Sequence, residues 1–199
     1  MAVGSSDSAA VTGGEMKAAF GWYDQRVWVN SNRTISGPIR EMYDKLDCRP
    51  GLPSSPVRTV RGGAEQYFAN GGLYRNGEAD LTVWLRGSID HEFRAVDAVR
   101  GVLGVPLGAP ERIAARSGTG CASCTRASFE GGKIYASNGT GAHALWGNVL
   151  PTDLGPGGAG GTLGMPTSRV RPRPAGGVRA SFEQGGIVCH RGTCTVSVG

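Results

Sequence analysis

The sequence predicts a mainly β protein with short helices, made of four β-hairpin repeats arranged as a small pseudo-symmetric ring, a propeller-like disc. Three observations lead there. The chain has 34 glycines and 11 prolines among 199 residues and is only 39% hydrophobic, which calls for many short elements joined by tight turns. A compact aromatic-glycine pattern recurs along it in a constant order with two other landmarks. And one such unit is too small to bury its own apolar face, so the units must pack on one another.

The anchor pattern appears as Phe68-Ala69-Asn70-Gly71-Gly72-Leu73-Tyr74, Phe129-Glu130-Gly131-Gly132-Lys133-Ile134-Tyr135 and Phe182-Glu183-Gln184-Gly185-Gly186-Ile187-Val188. A degenerate copy, Trp22-Tyr23-Asp24-Gln25-Arg26-Val27-Trp28, keeps the aromatic anchor without the glycines. The anchors recur at intervals of about 46–61 residues. Each segment is expected to form a short strand whose glycines permit a bulge or a sharp bend. A polar turn such as Ser137-Asn138-Gly139-Thr140-Gly141 follows, and a second strand closes the hairpin.

That second strand runs up to a landmark glycine: Gly37, Gly87 and Gly147. Beyond it, Ser36 to Leu46 reads as a helix with Pro38 near its start, where a missing N–H costs little, and Ile39, Met42, Tyr43 and Leu46 on one face. Ser88 to Val99 repeats the pattern with Ile89, Phe93, Val96 and Val99. The third copy, Pro151-Thr152-Asp153-Leu154 before Gly155-Pro156, is not expected to form a normal helix. A leading turn precedes three anchors: Gly51-Leu52-Pro53, Leu103-Gly104-Val105-Pro106 and Leu163-Gly164-Met165-Pro166. The expected organisation is a disordered N-terminus over 1–14, then one repeat domain over 15–199, with units at about 15–50, 51–102, 103–162 and 163–199.

Net charge is +5, and Arg169, Arg171, Arg173 and Arg179 cluster among prolines and glycines. That cluster is either a footprint for polyanions or a solvated basic loop; with no aromatics interleaved, nucleic acid is not expected as a partner. No apolar run approaches the roughly 20 residues of a membrane span. The opening residues Met1 to Ser6 lack the charged and apolar regions of a signal peptide. Of five cysteines, Cys121 and Cys124 form a CxxC in a Gly/Ser-rich loop, and Cys189 and Cys194 flank a four-residue turn. Two local disulfides are expected, leaving Cys48 over; a zinc site is disfavoured because the second pair lacks ligand spacing.

The ordered landmarks resemble the LGFP repeat, a family of actinobacterial wall-associated proteins. The third unit carries the likeness best, through Leu103-Gly104-Val105-Pro106, Phe129 to Tyr135 and Gly141-Ala142-His143-Ala144-Leu145-Trp146-Gly147. No turn here has the family's Phe. The resemblance implies a secreted, cell-wall-located chain that binds arabinogalactan or peptidoglycan glycan and anchors a parent protein to the envelope. Secretion would require a leader outside this sequence; the alternative expectation is that none is needed, as in a phage structural protein or a released fragment.

Glycans are gripped by aromatic faces with polar neighbours. The candidates are Trp28, Tyr74 and Tyr135, which share one repeat position, Trp84 and Trp146 beside the landmark glycines, and His143. Trp146 aligns with Ser36 and Arg86, which suggests a solvent-facing ring. Asp90-His91-Glu92, early in a helix, suits the helix dipole and is not a zinc motif. No nucleophile elbow, phosphate loop or metal triad is present, so no enzyme, cofactor or metal is expected. The alternative function is a protein-interaction or structural module of an envelope or phage assembly.

Overall fold

A computed structural model describes residues 33–60, 62–113, 124–154 and 161–199. The degenerate first hairpin around Trp22 and Trp28 lies outside them. Helix α1 (Gly37–Lys45) leads into strands β1 (Arg58–Val60), β2 (Gly63–Phe68), β3 (Gly71–Asn76) and β4 (Leu81–Leu85). Helix α2 (Gly87–Ala95) and a 3-10 turn (Ala98–Arg100) precede β5 (Glu111–Ile113), β6 (Cys124–Phe129), β7 (Gly132–Ser137) and β8 (Gly141–Trp146). Helix α3 (Val149–Leu154) precedes β9 (Arg171–Pro172), β10 (Val178–Phe182), β11 (Gly185–His190) and β12 (Thr193–Val198). The fold is mainly β with short helices, and its three four-stranded antiparallel sheets are open meanders.

Two local expectations change. The anchor and its glycines lie not on one bulged strand but on two, facing each other across a two-residue turn: Phe68 pairs Gly71, Phe129 pairs Gly132 and Phe182 pairs Gly185. The glycine is needed because the next strand passes against it. A Cβ on Gly71 would lie 2.2 Å from the Leu85 carbonyl oxygen, and one on Gly185 1.9 Å from that of Ser197. Each unit is therefore a four-stranded sheet: the anchor strand, the glycine strand and the closing strand, extended by a short outer strand beside the anchor. The third helix also forms, as a single short segment. Pro151 falls in its first turn, where no intrahelical N–H bond is required, and the helix stops before Gly155-Pro156.

The leading turns add the same clip to every sheet. Pro53, Pro106 and Pro166 bridge Phe68, Phe129 and Phe182. The N–H groups of Ser54, Leu107 and Thr167 donate to the carbonyls of Tyr67, Ser128 and Ser181. Glu183 Oε2 accepts from the Met165 N–H at 2.8 Å, and Glu130 Oε2 from that of Val105 at 3.3 Å, closing the turn from the anchor side.

Helices and sheets alternate in a stack. On the first sheet, alternate residues point oppositely, so Phe68 and Leu73 pack with Ile39 and Tyr43 of α1. Tyr74, Val83 and Leu85 face the other way, into a core with Ile89 and Phe93 of α2 and with Phe129 and Ile134 of the second sheet. Tyr135 and Leu145, on the far face of the second sheet, join Val149 of α3 and Phe182 and Ile187 of the third. Helices α2 and α3 thus each fill the space between the sheet before them and the sheet after them. The outward face of the third sheet has no such cover among the described residues. Its positions are Arg179, Ser181, Val188, Thr195 and Ser197, where the inner sheets carry Tyr74, Tyr135, Leu85 and Leu145.

Candidate functional site

A cleft of about 910 Å3 opens between the C-terminal end of α1, strand β4, the start of α2 and the near edge of the second sheet. Three successive units build it. Trp84 projects from β4 on the α1 side of the first sheet, opposite Leu73. Its indole N–H donates to the Asn70 carbonyl at 3.3 Å, which fixes the ring. The guanidinium of Arg49 lies 5.7 Å from the ring centroid and that of Arg86 5.0 Å, both in cation–π range. Met42, Leu46 and Ile89 continue the apolar wall, and Arg112, Ser137 and Asn138 stand on the opposite side. Among the described residues the lining contains no carboxylate.

The other predicted site residues do not form a row with Trp84. Tyr74 and Tyr135 are 0% and 1% exposed, enclosed by the helix that follows each sheet, so neither ring offers a face to a ligand. Trp146 is half-buried against two core clusters rather than solvent-facing, and it lines a separate recess of about 200 Å3 beside Val178 and Arg191. Its register partner is Gly132, which makes it the counterpart of Arg86 and not of Trp84. His143 donates from Nε2 to the Thr140 carbonyl at 2.7 Å and orients the β7–β8 turn. Trp28 lies outside the described residues.

The cysteines pair locally. Cys189 and Cys194 face each other across β11 and β12 and are disulfide-bonded. Cys124 is also in a disulfide; Cys121 lies outside the described residues. Cys48 is a free thiol, and burial beside Tyr43 pushes its pKa up.

Sequence reasoning missed the two buried acids of α2. Asp90 (6% exposed) accepts from the Tyr74 hydroxyl at 2.6 Å and pairs with Arg94 at 2.7 Å. Arg94 also lies over the Tyr67 ring, 4.0 Å from its centroid. Burial raises the Asp90 pKa above its ordinary value, against the pull of both partners, and raises that of Tyr74 as well. Glu92 (4% exposed) accepts from the Ala144 N–H at 3.0 Å and from Arg169 at 2.6 Å. Asp90 shows one local signal, the i,i+4 spacing to Arg94; Glu92 shows none, because its partners are far along the chain. Arg169 is thereby removed from the basic cluster as a free cation. Among the described residues no group of three or more metal-ligating side chains occurs.

Residues 103–152, from the leading turn through the whole second sheet into α3, match the family model of the LGFP repeat. No curated protein matches the chain.

Proposed function

We propose that this chain, whose residues 103–152 are an LGFP repeat, is a non-catalytic module of a secreted protein that binds cell-wall glycan and holds its parent on the actinobacterial envelope. The observation that carries the reading is the Trp84 cleft: an apolar wall with a fixed indole, opposed by hydroxyl, amide and guanidinium groups, is the chemistry that grips a sugar ring. The groups best suited to acid–base or nucleophilic work are committed elsewhere. Asp90, Glu92 and His143 each make structural hydrogen bonds, and the Cys48 thiol is shifted away from the reactive thiolate. Among the described residues the exposed large apolar side chains are the aliphatic Val102, Leu107, Val196 and Val198, with no aromatic among them, which gives a protein partner little to grip.

The units stack face to face, as the blades of a propeller-like ring do. Closing such a ring requires a partner for the outer face of the third sheet. That face is polar, which supports an open arc over a closed disc.

Co-sedimentation with insoluble cell walls tests the anchoring function. Wild-type protein should pellet with intact walls and remain in solution with walls stripped of arabinogalactan, and Trp84→Ala should pellet at least about tenfold less. Equal pelleting with both wall preparations would move the ligand to peptidoglycan. Pelleting with neither would end the wall-anchoring reading.

A further inference from the structure

Three arginines from three separate units converge on the Trp84 cleft, and none of them has a carboxylate partner among the described residues. Arg49 follows α1 and donates from Nε to the Leu46 carbonyl at 3.0 Å. Arg86 ends the first sheet and rests over Trp84. Arg112 comes from β5 of the second sheet, opposite Thr125. Among the described residues, Arg40, Arg58, Arg75, Arg94, Arg100, Arg126 and Arg169 each make an ion pair with an acid, whereas Arg171, Arg173, Arg179 and Arg191 of the third unit, like Arg33, make none and line no part of this cleft. Gathering like charges around one concavity costs repulsion that nothing in the lining relieves. The start of α2 adds to the same field, since Gly87 and Ser88 line the cleft and present the positive end of a nine-residue helix. Two of the guanidinium groups are held in place by the indole, so they are preorganised for a planar, two-oxygen anion.

We propose that the cleft takes an anionic glycan, a sugar ring against Trp84 and the apolar wall and its phosphate or carboxylate group between Arg49, Arg86 and Arg112. The inference rests on the glycan-binding reading and narrows it: uncharged stretches of wall polysaccharide satisfy only half of the site.

The test is calorimetric titration of the full chain with three probes: a phosphodiester-bearing mannan, an oligogalacturonate and a neutral arabinan. Two variants accompany the wild type. One is Arg49→Gln/Arg86→Gln/Arg112→Gln. The other is Arg171→Gln/Arg173→Gln/Arg179→Gln, which removes the same formal charge from the third sheet and its approach. An anionic probe should bind more tightly than arabinan, weaken with added salt, and lose about tenfold or more in the cleft variant while the third-sheet variant stays near wild type. Which anionic probe wins separates phosphodiester from uronate as the source of the charge. Equal binding of arabinan, unaffected by the cleft variant, would overturn the anionic site and leave glycan binding standing. An equal loss in both variants would overturn it too, showing diffuse attraction to a basic surface. Failure of all three probes, with pelleting on intact walls retained, would reject the site alone; failure of pelleting as well would reject the glycan reading with it. Unchanged thermal unfolding of the cleft variant shows that any loss is not misfolding.

Discussion

Asp90 sits between Tyr74 and Arg94 with its pKa raised by burial. A carboxyl shifted upward stabilises the folded state below its unfolded pKa, and that contribution disappears as pH rises through the folded value. Wild type should therefore gain stability relative to Asp90→Asn as pH falls from neutrality toward the ordinary value of 3.8. Urea unfolding at a series of pH values measures this; a difference independent of pH would mean that Asp90 titrates alike in both states. The landmark glycines allow a second test at this scale. Gly87 and Gly147 have φ of +59° and +60°, and a Cβ on either would meet nothing within 4 Å. The requirement is conformational, so Gly147→Ala should cost roughly 1–2 kcal/mol, and Gly147→Asn less, because Asn tolerates the left-handed region. Denaturation midpoints decide it. The glycines were legible because their role is local. Asp90 was read as a dipole residue because nothing in its sequence neighbourhood announces Tyr74.

Helix α2 shows what an element adds. Its apolar face, Ile89 and Phe93, was visible from helical spacing. Its acidic residues turn out to be the fastening: Asp90 reaches back to the first sheet, while Glu92 reaches forward to Ala144 of the second and to Arg169 ahead of the third. Glu92→Ala should cost about 2–3 kcal/mol, since it strands a buried N–H along with part of an ion pair. Arg169→Ala should cost less, its side chain being 32% exposed. A double-mutant cycle on the pair should return a coupling of about 1 kcal/mol; no coupling would make the contact incidental.

For the whole molecule, the consequence of stacking is that coupling passes between neighbours. Phe93 packs edge-on to Tyr74 of the first sheet at 4.9 Å and stacks on Phe129 of the second at 4.4 Å. Phe93→Ala should cost about 3–5 kcal/mol. By amide exchange, it should lower protection in the first two sheets more than in the third. A uniform loss over all three would show one indivisible cooperative unit. The Trp84 cleft belongs to this scale as well, since its walls come from three units and no single repeat contains it.

The sequence by itself determined the units. Turn glycines, Phe anchors, the proline-ended leading turns and helical spacing are all short-range constraints, and they located every described sheet and two of the three helices. The Cys189–Cys194 bridge was legible for the same reason, its partners facing each other across one tight turn. Tertiary structure alone decided what lies between units. Whether an aromatic is core or surface depends on which helix lands on it, so Tyr74 and Tyr135 are enclosed while Val188, at the same position, lies on an uncovered face. Arg49, Trp84, Arg86 and Arg112 line one cleft only because α1 docks on one face of the first sheet while α2, on the other, sets its distance from the second sheet, a spacing that no local pattern encodes.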